Sequence, residues 1–272
     1  WIPYFTCDVI LEPLLKLGIL YNFYHINERL EICEDIQLES DEYLLVTNYY
    51  GIKDKYIQEL SSQYSSKLIV DNAQALFAEP IKWVKSIYSP RKYIGIPDGG
   101  IAYIKDGIDV HQFDIDVSYD RCSHLLKRID LGAGEGYMDF KENSYKLQGQ
   151  PIKRMSRLTQ NLFQAVNFDQ IRNIRRDNFR LLHGSLSQTN KLPIPDLDSF
   201  SCPMVYPYYT DDCTLKKRLI ENKVFIATYW PNVFEWCSSA SLEYNLASRV
   251  IAIPVDQRYV LNDMKTVLSI IK

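Results

Sequence analysis

No stretch of this 272-residue sequence approaches the roughly 18 consecutive apolar residues that cross a membrane as a helix. The opening residues Trp1, Ile2 and Pro3 also lack the charged and apolar regions of a signal peptide. A soluble, cytoplasmic protein is the expectation. Charge of one sign is equally scarce: Lys and Arg number 31 against 34 Asp and Glu, a net of −3, and no local run builds the broad basic surface that a phosphate backbone requires. Neither a nucleic-acid nor a membrane partner is expected. Metal-ligand spacing is missing too, because no cysteines form a C-x-x-C pair and His25, His111, His124 and His183 lie far apart. The six cysteines (Cys7, Cys33, Cys122, Cys202, Cys213, Cys237) are scattered through a chain long enough to fold without staples, so reduced packing thiols are expected. The start at Trp1 rather than Met suggests processing, trimming or an incomplete sequence.

Apolar material is plentiful. Hydrophobic residues make up 46% of the chain and charged residues 24%, which supports a core for one large domain or two modest ones. Short apolar runs at residues 19–24, 43–47, 68–70 and 100–104 read as strands, and between them lie helical patterns, one capped by Asp8 and one over 54–64. This alternation predicts βαβ units and a mainly parallel sheet. From about 110 to 150 the pattern weakens. The run GAGEGYMDF (132–140) resembles a phosphate loop only superficially, since it follows no clear strand and opens no clear helix, and it reads as a connection. Residues 156–186 then carry two helical stripes, Leu158, Leu162 and Ala165 followed by Ile171, Ile174, Phe179 and Leu182, with a break at 167–169 and Asp169 as the second cap. The remainder reads as a smaller α/β unit, with strands at 204–206, 224–228 and 250–253 and helices at 215–221 and from Asn262.

In an open parallel sheet, ligands bind beyond the carboxyl ends of the strands. Asp71 stands there, directly after the run Leu68, Ile69, Val70. Taken alone, such an Asp is a turn or cap residue. Its neighbours change that. The segment VDNAQALFAEP (70–80) is followed by SIYSPRKYIGIPDGGIAYI (86–104), which sets Lys92 just before an acidic residue and two glycines. Together these segments resemble the cofactor segments of the DegT/DnrJ/EryC1/StrS family of pyridoxal phosphate (PLP) aminotransferases, in which Asp-x-x-Gln follows a strand and precedes that lysine. The matching residues are Asp71, Gln74, Lys92, Asp98, Gly99 and Gly100. Similarity extends to WIPYFTCDVILEPLLKLGILYNFYHIN (1–27), VTNYYG (46–51), KRMSRLTQNLF (153–163), IRRDNFRLL (174–182) and the closing IPVDQRYVLNDMKTVLSII (253–271).

The resemblance implies an α/β architecture of fold type I: a three-layer PLP-transferase-like large domain over residues 1–115, N-terminally incomplete, a connection over 116–150 and a smaller C-terminal α/β domain over 151–272. It implies PLP as cofactor, with Lys92 as its covalent link and proton carrier and Asp71 beside the ring nitrogen. Gln74 is expected at the ring or its phenolic oxygen, Ser86 or Ser89 at the phosphate, and Tyr4 and Phe5 over the ring; Arg91 is a cation able to lower the pKa of Lys92. The family's upstream phosphate-binding helix would precede Trp1 and is not in this sequence, and the family asparagine before Arg154 is not evident. The implied activity moves an amino group from an amino acid such as glutamate to a nucleotide-linked keto sugar, in a homodimer with its site near the interface. Tyr206, Tyr208, Tyr209, Tyr229 and Trp230 are candidates for a sugar-stacking wall. The alternatives are a PLP-type fold used for binding or scaffolding, and a different PLP reaction such as sugar dehydration.

Overall fold

The runs Leu44-Leu45-Val46-Thr47 and Leu68-Ile69-Val70 are rich in branched side chains that fit a pleated surface, and they set the centre of the sheet. The computed structural model describes residues 1–104 and 107–272. The chain enters through β1 (Ile2–Pro3), α1 (Leu11–Leu17) and β2 (Phe23–Tyr24), which pairs parallel with β1. Then β3 (Leu44–Thr47), α2 (Asp54–Tyr64) and β4 (Leu68–Asn72) make a βαβ unit, and β5 (Lys85–Tyr88) and β6 (Ile101–Tyr103) complete a sheet of order β3-β4-β5-β6. The first three strands are parallel and β6 runs antiparallel to β5. The fold is mixed α/β with a mainly parallel central sheet, as the sequence pattern implies. The pattern does not mark β5, because Lys85-Ser86-Ile87-Tyr88 lacks an apolar run.

Residues paired in a parallel ladder point to the same face. Leu44, Val46, Leu68, Val70, Ser86 and Tyr88 share the buried face, and α2 adds Ile57 and Leu60 to the same core. Thr47, Asp71 and Ile87 share the other face. The turn after β3 brings this sheet against the rest of the chain at Gly51. Its φ is +70°, and a Cβ there would stand 2.7 Å from the carbonyl oxygens of both Gln74 and Cys202. Both obstacles are backbone, so Gly51→Ala is expected to cost about 2–4 kcal/mol, combining left-handed strain with overpacking. A urea melt within about 0.5 kcal/mol of the parent protein would contradict this contact.

Helices α3 (Ser123–Asp130) and α4 (Tyr137–Lys146) are joined by residues 131–136, so the glycine-rich run follows no strand but, against the sequence reading, opens a helix, its residues 137–140 forming the first turn of α4. Next come α5 (Arg157–Gln164) and α6 (Phe168–Leu186). The cap of α6 is Asn167, whose side chain accepts the Gln170 N–H at 3.0 Å; Asp169, the expected cap, lies in the first turn. The chain ends with β7 (Val205–Tyr209), α7 (Leu215–Glu221), α8 (Val233–Trp236), α9 (Leu242–Arg249), β8 (Val250–Pro254) and α10 (Leu261–Ile271). The expected strand at 224–228 does not form. Val224 instead closes α7 by donating to the Leu219 carbonyl at 2.8 Å, while β7 pairs antiparallel with β8 along its full length. All six cysteines are free, and burial pushes the Cys202 thiol up to about 12. Among the described residues, no helix is long and apolar enough to cross a membrane, and no group of three or more His, Cys, Asp or Glu could hold a metal ion.

Candidate active site around Asp71 and Lys92

Asp71 sits at the carboxyl end of β4, on the face it shares with Thr47, and is 8% exposed. The Ala73 N–H donates to its Oδ1 at 2.8 Å, the single hydrogen bond to this carboxylate among the described residues. Burial pushes its pKa above the ordinary carboxylate range, against the opposing pull of the Lys92 cation and the Ala73 amide. Lys92 closes a tight 3-10 turn, Pro90–Lys92, that follows β5, and its own N–H donates to the Ser89 carbonyl at 3.1 Å. The side chain is exposed, and its amine has no hydrogen-bond or ion-pair partner among the described residues. The Lys92 charge is close enough to favour the ionised forms of both Asp71 and Cys7, without an ion pair to either among the described residues. Cys7 carries no sequence signal of this proximity. Residues 6 and 7 are brought there by β1, with the Thr6 and Thr47 hydroxyls 3.5 Å apart.

Gln74 is 1% exposed, and its Oε1 accepts the Tyr50 N–H at 2.7 Å, which fixes the amide with Nε2 as the donor. That Nε2 is buried and has no partner. An unsatisfied buried donor is costly, by about 1–3 kcal/mol, so its presence two turns of loop from Asp71 marks a place for an acceptor. The remaining candidates separate by position. Ser86 pairs with Val70, on the opposite face of the sheet from Asp71, and is 2% exposed. Ser89 lies past the strand end, half-buried, three residues before Lys92. Tyr4 is half-buried, with its ring stacked between Phe23 (centroids 4.5 Å) and His25 (4.6 Å). Phe5 is fully buried against Tyr49 and Trp230, which places it in the core rather than over a cofactor ring.

The proposed sugar wall is not formed. Tyr206, Tyr208 and Trp230 are buried: Trp230 lies against Phe5, Tyr206 packs edge-on to Phe179 and the Tyr208 hydroxyl donates to Thr189 Oγ1 at 3.0 Å.

The acidic residue before the paired glycines has a structural task. Asp98 is 3% exposed and accepts from the Ser156 N–H at 2.8 Å, the Ser156 hydroxyl at 2.9 Å and the Thr159 hydroxyl. With the Ser156 hydroxyl committed to Asp98, the Ser118 hydroxyl is the donor in their 2.6 Å contact. Gly99 leaves room for Met155, whose Cγ would stand 3.1 Å from an added Cβ. The Arg-Met-Ser segment therefore docks on the Asp-Gly pair and caps α5 there. Arg91 is largely buried; desolvation and the nearby Arg121 guanidinium lower its pKa, with Asp98 opposing, and its Nε has no partner.

Neither a family profile nor a curated protein sequence matches the chain. Solved structures do. A putative sugar aminotransferase from Streptococcus pneumoniae, Spr1654, solved in its PMP form, aligns with 100% of this chain and 80% of its own at a TM-score of 0.62 and 10% identity. A DegT DnrJ EryC1 StrS aminotransferase from Brucella abortus aligns over 99% and 77% at 0.58 and 14%, and DesI, solved with its TDP-sugar product, over 99% and 73% at 0.57 and 12%. The fold is that of the PLP-dependent aminotransferases. Within that class, one of these neighbours is a putative sugar aminotransferase and another a DegT DnrJ EryC1 StrS aminotransferase, the group whose motifs the sequence resembles.

Proposed function

We propose that this protein is a PLP-dependent aminotransferase that moves an amino group from an amino acid such as glutamate to a keto sugar carried on a nucleotide. The observation that carries this reading is a lysine whose amine has no hydrogen-bond or ion-pair partner among the described residues, set on the turn after β5, beside the parallel strand β4 that ends in the buried Asp71 carboxylate. The donor set fits PLP. Asp71 would face the ring nitrogen, where its raised affinity for a proton suits a shared proton between carboxylate and ring. The partnerless Nε2 of Gln74 would donate to the phenolic oxygen, and Ser89 would donate its hydroxyl to the phosphate. PLP, when bound, supplies an electron-withdrawing ring that weakens the bonds at the amino-bearing carbon. Lys92 would hold the group through its amine and, when free, that amine would take up and return the proton at the amino-bearing carbon of the substrate.

A nucleotide-linked sugar is the proposed acceptor, supported by DesI having been solved with its TDP-sugar product. The test is incubation with PLP, glutamate and nucleotide-linked keto sugars. The proposed reaction yields a keto acid and an amino sugar in equal amounts. A deoxygenated sugar without keto acid would move the assignment to dehydration, and failure to bind PLP would leave a binding or scaffolding role.

The proposed assembly is a homodimer. Large apolar side chains stand in solvent on α1 and its following turn (Leu17, 71%; Leu20, 96%) and on α3 (Ile129, 80%), and a second copy of the chain would cover such side chains. Light scattering is expected to give about twice the 31.8 kDa chain mass. A monomer at all concentrations would contradict this.

A further inference from the structure

Arg175 lies on the buried stripe of α6, between Ile171 and Phe179, and is 2% exposed. It has no ion-pair partner among the described residues. Its Nε donates to Gln257 Oε1 at 3.1 Å and its Nη1 to the Met204 carbonyl at 2.9 Å, while the guanidinium lies 4.4 Å from the centroid of the Tyr93 ring. A buried charge with no direct ion pair among the described residues is a costly way to fill a core position that leucine would fill, even with the Asp256 carboxylate within electrostatic reach. The other end of Gln257 closes the circuit, because its Nε2 donates to the Tyr93 carbonyl at 2.7 Å. Tyr93 is the residue after Lys92. Its hydroxyl donates to the Gln74 carbonyl at 2.6 Å, and its N–H donates to the Pro90 carbonyl at 2.9 Å. One side chain thus joins the lysine turn to the loop that carries Gln74.

We propose that Arg175 and Gln257 are positioning residues for the Lys92 turn, acting through Tyr93, so that segments far along the chain set where the Lys92 amine stands relative to Asp71 and Gln74. The stacked guanidinium fixes the plane of the Tyr93 ring, and Gln257 fixes the Tyr93 carbonyl. The consequence for cofactor attachment rests on the PLP reading above; the clamp itself does not.

Gln257→Glu separates the two halves of the clamp, since a carboxylate still accepts from Arg175 but cannot donate to the Tyr93 carbonyl. Tyr93→Phe keeps the ring under Arg175 and removes the donor to Gln74. In both variants, amide hydrogen exchange of residues 92–94 is expected to quicken about fivefold, the equivalent of one net hydrogen bond, with the α7 amides unchanged. With PLP and borohydride, the share of adduct on Lys92 relative to the exposed Lys217 is expected to fall by a similar factor. Unchanged exchange at 92–94 in variants that melt like the parent would overturn the clamp. Faster exchange with an unaltered Lys92 share would overturn the positioning role and leave a structural one. A parent protein with no Lys92 adduct would overturn the PLP reading instead, while the exchange measurement still decides the clamp.

Discussion

Lys92→Ala is expected to lower amino transfer by about 10³-fold or more and to remove the borohydride-fixed adduct, because one amine both attaches the cofactor and carries the proton. Fold and melting temperature should hold, since the side chain is exposed and its amine has no hydrogen-bond or ion-pair partner among the described residues. Lys92→Arg sharpens the experiment. It retains a cation near Asp71 but supplies no amine that exchanges a proton near neutral pH. Activity close to the parent level in either variant, measured as keto acid released, would remove Lys92 from the mechanism.

Asp71→Asn is expected to move activity and stability in opposite directions. Burial raises the folded-state pKa of Asp71 above its unfolded value. For a group raised in this sense, the favourable contribution is present below the unfolded pKa and is lost as pH rises through the folded pKa. The ionised carboxylate therefore weighs against the empty fold at neutral pH. Asparagine removes that charge and can still accept the Ala73 N–H. The empty Asp71→Asn protein should melt higher than the parent at pH 7 to 8, with the gap closing as pH falls below the ordinary carboxylate range. Its amino transfer should drop by about 10²-fold or more, since the ring proton loses its ionic partner. A variant that melts lower at neutral pH would contradict the burial argument, and one with full activity would contradict the assigned role.

Much of this was legible where the chemistry is local in sequence. Asp71 directly ends an apolar run, and Lys92 precedes its acidic-glycine turn, so both are visible without knowledge of distant contacts. Helix α2 runs over the expected residues 54–64, because a polar turn on either side bounds its apolar stripe. The faces on which Ser86 and Ser89 lie were not legible, since they depend on strand parity, and β5 itself has no apolar run to announce it. The tyrosines of β7 misled for a related reason: Tyr206 and Tyr208 both lie buried, and an aromatic strand reads the same whether it faces core or solvent. The clamp on Tyr93 joins residues 82 and 164 positions apart, beyond the reach of any local pattern. Its one visible trace is a charge within an apolar helical stripe, at Arg175.

The central claim is that Lys92 and Asp71 form one site that holds PLP. The most direct measurement is titration of the protein with PLP, reduction with borohydride and mapping of the labelled peptides. The account predicts one saturable adduct, on Lys92, with visible absorbance that weakens in Asp71→Asn. Label spread over exposed lysines such as Lys217, with Lys92 unmodified, would contradict it.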